Sequence, residues 1–345
     1  MTETSIGSSR VPFRRVLVVT FTAPLLFFVW TRVTADASEL EVAGKVFDAW
    51  SQRPKKIRSF QYQCDLVRTK VAGDGKGIEE PFADRGQDGA SNKLEILQGR
   101  FTFTMAGEKL AYRETGDGWD EQFARKRPRN VTAIFDGDSN KSLHAAGPIP
   151  LGGITKATLP ADSLTVSTNI IAILWTHSPV RQLERQAYHV QQMTVRESHI
   201  QCDGIDCMQL SIPRGKPGSK NKWTGFVYVD PAREYLPIRF VQELNGQRRS
   251  AYSIKYVPDS QIGWRISEWT EDRFDETGRL DYTLSGRVTA CMINKPVSDD
   301  TFAIEFPIGT HVVERDGVAE KYFIVEGGEQ RKYIPQSEYG ALERK

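Results

Sequence analysis

Residues able to do chemistry are scattered along this chain, and their spacing argues against most reactions they could serve. Five histidines, His144, His177, His189, His199 and His311, stand singly. None belongs to an H-E-x-x-H or H-x-H pattern and none lies beside a cysteine pair, so they read as isolated side chains rather than metal ligands. Ser219-Lys220-Asn221-Lys222 matches S-x-x-K, but it sits in a Gly/Pro loop without the helix that would aim the lysine at the serine. The chain has no G-x-S-x-G elbow, P-loop or dinucleotide fingerprint. Asp136-Gly-Asp-Ser-Asn140 begins like a calcium loop, yet Lys141 stands where glycine is needed and Gly147 where the last glutamate belongs. A tight hairpin turn is the better reading there. Glu268, Glu271-Asp272 and Asp299-Asp300 offer carboxylate pairs, which read as solvated turns and strand faces. The expectation is no enzyme, no metal and no cofactor.

The four cysteines carry a different chemistry. Cys202 and Cys207 flank Asp-Gly-Ile-Asp between two β-rich runs, which predicts a hairpin closed by a local disulfide. Its short loop limits the entropic gain to about 2 kcal/mol. Cys64 and Cys291 lie in predicted strands far apart in sequence. They pair if those strands are neighbours, and otherwise are buried thiols. An oxidising compartment is implied by the N-terminus. Arg10, Arg14 and Arg15 precede the uncharged apolar run Val16–Trp30, and Ala35-Asp36-Ala37 supplies a small-x-small cleavage site. Residues 1–37 therefore read as a secretory signal peptide cleaved after Ala37, giving a periplasmic or secreted protein. An uncleaved anchor is the alternative, although the run is short for a span of about 20 residues. The net charge of +2 is carried by that leader, so nothing argues for nucleic acid.

Five strand-like runs between Lys222 and Ile293 must position whatever site exists. Asp230-Pro231, Asn245-Gly246, Pro258-Asp259-Ser260 and Asp275–Gly278 separate them with turn chemistry, the signature of an antiparallel meander. Period-two alternation puts Leu236, Ile238 and Phe240 on one face, then Tyr252, Ile254 and Tyr256, then Ile262, Trp264 and Ile266, then Leu280, Tyr282, Leu284 and Val288. Arg239, Lys255, Arg265 and Arg287 face outward, diluted by acids such as Glu243 and Asp281. So broad an apolar, aromatic-rich face needs a cover. The interior stretch Ser163–Thr176, with Ile171, Leu174 and Trp175, predicts a covering helix, broken at Pro179, with Val180–Gln186 starting a second.

Upstream, residues 38–53 predict an amphipathic helix ended by Pro54, followed by a strand over Ser59–Val71. Residues 72–90 are Gly- and charge-rich and read as a long loop. Short strands are expected around Lys93–Leu97, Arg100–Met105, Lys109–Glu114, Val131–Phe135 and Lys141–His144. The cluster Arg125, Lys126, Arg127 and Arg129 could meet anionic headgroups at a membrane surface, but Pro128 and polar neighbours favour a solvated loop. Ala145–Pro160 reads as a loop. Strands are expected again at Met193–Cys202, Cys207–Ile212, Phe302–Phe306, Thr310–Glu314 and Lys321–Val325, with a polar tail over 327–345.

The order of these elements resembles the LolA/LolB/LppX-like group of secreted proteins, which includes the periplasmic lipoprotein carriers. The resemblance spans roughly residues 39–314 and is carried by an N-terminal helix ending in Trp50 and by Phe135-Asp136-Gly137. Tyr228-Val229-Asp230-Pro231 with Leu236-Pro237-Ile238-Arg239, and Phe302-x-x-x-Phe306-Pro307-x-Gly309-Thr310, complete it. It implies a mainly β fold of the α+β kind. A large, curved antiparallel sheet forms an unclosed β-barrel, and helices plug its concave face. It also implies a cavity for acyl chains; no residue here aligns with the arginine by which the carriers latch theirs. The expectation is one domain over 38–326, a monomer. It would be a non-enzymatic binding protein for a lipid or acylated protein, its cavity lined by Leu236, Phe240, Tyr252, Ile254, Tyr256, Trp264, Ile266, Tyr282, Leu284, Ile171, Leu174 and Trp175. A structural or partner-binding envelope protein with a filled core is the alternative.

Overall fold

A helix, Ala37–Gln52 (α1), opens the structure. Ala43, Val46 and Trp50 recur at helical spacing and are buried, with Val42 and Phe47 packed beside them. Pro54 cannot continue the hydrogen-bond ladder, and the chain tightens into a 3-10 turn, Arg53–Lys56. The computed structural model describes residues 37–70, 95–120, 125–156, 170–215, 219–327 and 330–342. All fall within one unit, Ala35–Lys345. The leader (Ala37 excepted), the loop at 72–90 and residues 163–169 of the expected covering helix lie outside them.

The first run of strands is β1 (Ser59–Lys70), β2 (Glu95–Ala106), β3 (Lys109–Asp120), β4 (Arg125–Phe135), β5 (Ser139–His144) and β6 (Leu151–Lys156). Two short helices follow, α2 (Ile171–His177) and α3 (Pro179–Arg185). The second run is β7 (Thr194–Cys202), β8 (Ile205–Arg214), β9 (Trp223–Asp230), β10 (Leu236–Leu244), β11 (Gln247–Asp259), β12 (Gly263–Phe274) and β13 (Leu280–Ile293). The chain ends with β14 (His311–Asp316), β15 (Ala319–Gly327), β16 (Gln330–Ile334) and α4 (Gln336–Leu342).

These strands form one unclosed sheet in the order β16-β15-β14-β6-β5-β4-β3-β2-β1-β13-β12-β11-β10-β9-β8-β7. Two meanders meet where β1 pairs antiparallel with β13. Every pairing is antiparallel except β6 with β14. The sheet is strongly curved. Phe101 on β2 and Trp269 on β12 are three strand steps apart, about 14 Å on a flat sheet. Their ring centroids nevertheless lie 6.0 Å apart. Gly286 permits this: Trp269 pairs with it and its indole lies across the bare backbone, where a Cβ would come within 2.1 Å of the ring. On the concave side α1 packs against β7, and α2 against β10 and β12.

Several expectations need correction. The basic run from Arg125 is part of β4 rather than a loop. Lys126 pairs with Asp117 at 2.9 Å and Arg129 with Glu114 at 2.9 Å, so cross-strand charge offsets its repulsion. Leu151–Lys156 is a strand despite its glycines; Gly152 lets Phe306 and Val312 press against the backbone. Phe302 ends a 3-10 turn, Asp299–Phe302, instead of starting a strand. Beyond 327, β16 and α4 bury Ile334 and Tyr339. The expected Cys202–Cys207 disulfide is absent: all four cysteines are free thiols. Cys202 lies opposite Ile205, and Cys207 opposite Ile200. The cysteines are thus diagonal neighbours, about 7–8 Å apart in such a ladder, beyond the reach of a disulfide. Cys207 Sγ donates to Ile205 O at 3.2 Å, and burial pushes its thiol up to about 11. Cys64 and Cys291 do lie on adjacent strands, β1 and β13, also as thiols.

Candidate functional site

Bulges decide which residues reach the concave face. Between Pro237 and Arg239 the register of β10 slips, and Ile238 moves into a separate cluster with Cys202 and Cys207 while Phe240 enters the main core. On β12 the ladder skips Ser267, so the inward parity changes from Ile266 to Trp269 and Glu271. Glu271 is therefore fully buried rather than solvated. Tyr252 Oη donates to its Oε1 at 2.8 Å, and Arg273 pairs with the same oxygen. The burial of a carboxylate is compensated by a guanidinium and a phenol.

Of the expected cavity residues, Leu236, Phe240, Tyr252, Ile254, Ile266, Leu284, Leu174 and Trp175 are buried. Trp175 of α2 lies tilted against Phe240, ring centroids 4.0 Å apart, and Phe240 stacks on Tyr252 at 6.3 Å. Beneath the meander, side chains fill the space. Ile171, Tyr256 and Tyr282 are half-buried at its margin. Tyr256 Oη donates to Pro237 O at 2.8 Å. Trp264 lies outside this cluster, its ring covered by the Arg233 guanidinium at 5.0 Å.

The open space lies at the other end of the helix pair. A cleft of about 80 Å³ separates α2–α3 from the 3-10 turn and the ends of β1–β3. Ile57, Phe60, Met105, Leu110 and Leu174 wall it, and Arg181, Arg185 and Glu108 stand among its lining. Of the expected cavity residues only Leu174 borders it, together with His177, read from the sequence as an isolated side chain. Phe60, on one wall, lies in the strand expected over Ser59–Val71; the i, i+4 pair Arg181 and Arg185 after Pro179 was the unread signal for the mouth.

His177 also lines this cleft and is 2% exposed. Its ring stacks on Phe60 at 4.3 Å, and Nε2 lies 3.0 Å from Tyr62 Oη. Nδ1 has no partner. Burial, reinforced by the nearby Arg53 charge, holds this imidazole well below the ordinary histidine range, so it is neutral at pH 7.

Arg53 is the buried tie of the helical cover, 2% exposed. Its Nε donates to Thr176 O of α2 at 2.5 Å and Nη1 to Ile262 O at 3.4 Å, while Nη2 donates to Trp264 O. Glu234 is its nearest carboxylate, 3.5 Å from Nη1. One guanidinium thus joins the end of α1, the end of α2 and the β11–β12 turn. Nothing in the residue pattern marked Arg53 as buried, because it follows an amphipathic helix where a basic residue usually faces water.

Other chemistry-bearing residues are spent on structure. Burial opposes ionisation of Asp136, but bonds from Lys141 Nζ and the Ser139 and Asp138 N–H groups hold its carboxyl at about 2. It closes the β4–β5 turn. Asn221 N–H donates to Ser219 Oγ at 3.3 Å, so S-x-x-K is a turn. Lys255 and Arg287 both pair with Glu268, and Arg265 approaches Asp259, so Glu268 and Asp259 break up the outer basic stripe. Among the described residues no three His, Cys, Asp or Glu side chains gather as a metal site. A hollow of about 380 Å³ on the face away from the helices is lined by Arg196, Glu197, Gln209, Tyr228, Glu243 and Arg248, and is open and polar.

The architecture is that of a mainly β chain whose unclosed, curved sheet is covered by helices. No protein-family model matches the chain, and no curated protein sequence matches it. Among solved structures it is similar to a DUF1329 family protein from Desulfovibrio piger, at 10% identity and a TM-score of 0.44, over 76% of this chain and 97% of that one. A β-barrel-like protein of the domain of unknown function DUF1849 from Brucella abortus matches at 12% identity and a TM-score of 0.28, over 69% and 100%. At these values the likenesses say nothing about function.

Proposed function

We propose that the chain is a non-catalytic binding protein that takes an acyl chain, on a lipid or an acylated protein, between its sheet and the α2–α3 pair. The apolar cleft walled by Ile57, Phe60, Met105, Leu110 and Leu174 carries this reading. Each methylene buried there is worth about 0.8 kcal/mol. At about 80 Å³ the cleft is smaller than a full ligand pocket, typically roughly 300–1,000 Å³. It therefore receives the first few methylenes, and a longer chain enters as α3 swings outward. The cover is two short helices that Arg53 ties at their junction through Thr176, so α3 is the part that moves.

The expected result with the fluorescent fatty acid cis-parinaric acid is saturable binding that Leu174→Trp abolishes by filling the cleft. A probe that stays dark, or binds L174W equally well, overturns the proposal. The filled interior at Trp175, Phe240 and Tyr252 favours a second reading, a partner-binding envelope protein without ligand, which that negative result would support. We further propose that the protein works after export, on the strength of Arg10, Arg14 and Arg15 before Val16–Trp30. N-terminal sequencing of the mature chain should then begin at Ser38; a chain that retains its leader would contradict cleavage.

A further inference from the structure

The mouth of the cleft carries charge that no described residue pairs with. Arg181 and Arg185 are four apart on α3, so they occupy the same face of one short helix. Like charges at this spacing weaken a helix. Among the described residues neither guanidinium has a hydrogen bond or ion pair, although both line the cleft and Glu108 stands in the same lining. Burial, with repulsion from Arg181, lowers Arg185 to about 10, the direction produced by a cation without a counter-charge. A second, independent observation comes from the same lining: His177 is 2% exposed and its Nδ1 lacks any partner. Where Tyr62 Oη donates to Nε2, the neutral ring carries its proton on Nδ1 and offers a further donor.

We propose that the cleft takes a single-chain amphiphile with an oxyanion head, a fatty carboxylate or an alkyl phosphate, with the head held by Arg181 and Arg185 and the chain directed between Phe60, Leu110 and Leu174. The chemistry is complementary. Planar guanidinium forks match carboxylate and phosphate oxygens bidentately. The head would relieve the repulsion between the arginines, and the narrow cleft excludes a second chain. The inference rests on the acyl-binding reading above and adds the class of head group to it.

Isothermal titration of the full chain with decanoate, decyl phosphate, decanol and inorganic phosphate separates the two. Decanoate and decyl phosphate should each bind at least about tenfold more tightly than decanol. The double variant Arg181→Ala/Arg185→Ala should lose that preference, with decanol affinity unchanged within about twofold. Arg181→Lys/Arg185→Lys should restore part of it. Arg181 is exposed, so Arg181→Ala alone provides a folded variant that should show a partial loss. Equal binding of decanol and decanoate by the parent chain overturns the head-group proposal and leaves acyl binding standing, as does an undiminished preference in either alanine variant. Inorganic phosphate bound as tightly as decyl phosphate also overturns it, showing an anion site without a chain. Failure of all three alkyl probes to bind overturns both readings.

Discussion

Gly286 shows how much of the interior rests on single residues. Its missing side chain lets Trp269 lie across β13 and reach Phe101, joining the two meanders over their seam. A Cβ there would meet the indole at 2.1 Å, so Gly286→Ala should lower stability by about 3 kcal/mol, read as a shifted denaturant midpoint. An unchanged midpoint would mean that Trp269 has another place to go. Arg53 is the second such residue. Arg53→Ala leaves the carbonyls of Thr176, Ile262 and Trp264 without their charged donor and should cost on the order of 3 kcal/mol. Arg53→Lys, keeping a charge and three donors, should recover part of it in the same unfolding measurement. The spacing of the cysteines suggested a bridge because sequence separation does not reveal register; a turn of four residues, with Cys202 opposite Cys207, would have placed them face to face, but the turn has two and Cys202 faces Ile205.

Among the elements, the α2–α3 cover is the most condition-sensitive, because it encloses a neutral histidine. Arg53 and Tyr62 act on His177 directly, and Arg181, Arg185 and Glu108 share the lining of its cleft. Its folded pKa is depressed below the unfolded value of about 6.5. Below that pH the unfolded chain binds a proton that the folded chain refuses. The stability contributed is therefore complete above about pH 6.5 and is lost as pH falls toward the depressed folded value, at up to about 1.4 kcal/mol per pH unit. His144 and His311 are lowered in the same direction by burial, so the informative quantity is a difference between chains. Unfolding free energies between about pH 6.5 and 5 should fall less steeply in His177→Gln than in the parent chain. Parallel curves would show that His177 is protonated without cost. Bulges act at this scale too: those at Ile238 and Ser267 change which residues face inward, and simple alternation along β10 and β12 could not anticipate them.

For the molecule as a whole, the legible part was the wall and the obscure part was the opening. Turn chemistry and alternation located β9–β13 because each strand buries one face, and the i, i+3, i+4 pattern located α1. β6 and β16 were not legible, since glycine-rich and charged strands gain their place from neighbours rather than from their own residues. The aromatic face of the meander was read as a cavity lining, but a period-two pattern is the same for a packed core and a hollow one. Trp175 and Phe240 fill that region, and the cleft opens instead beside Phe60, Leu110 and Leu174. Whether this opening receives an acyl chain is the central claim. Native mass spectrometry of the protein, produced with its own leader and purified without detergent, tests it most directly. The account predicts a bound population heavier by the mass of one anionic acyl species, recovered on solvent extraction. A single unliganded mass, from protein that also takes up no fatty acid when supplied with it, would contradict the account.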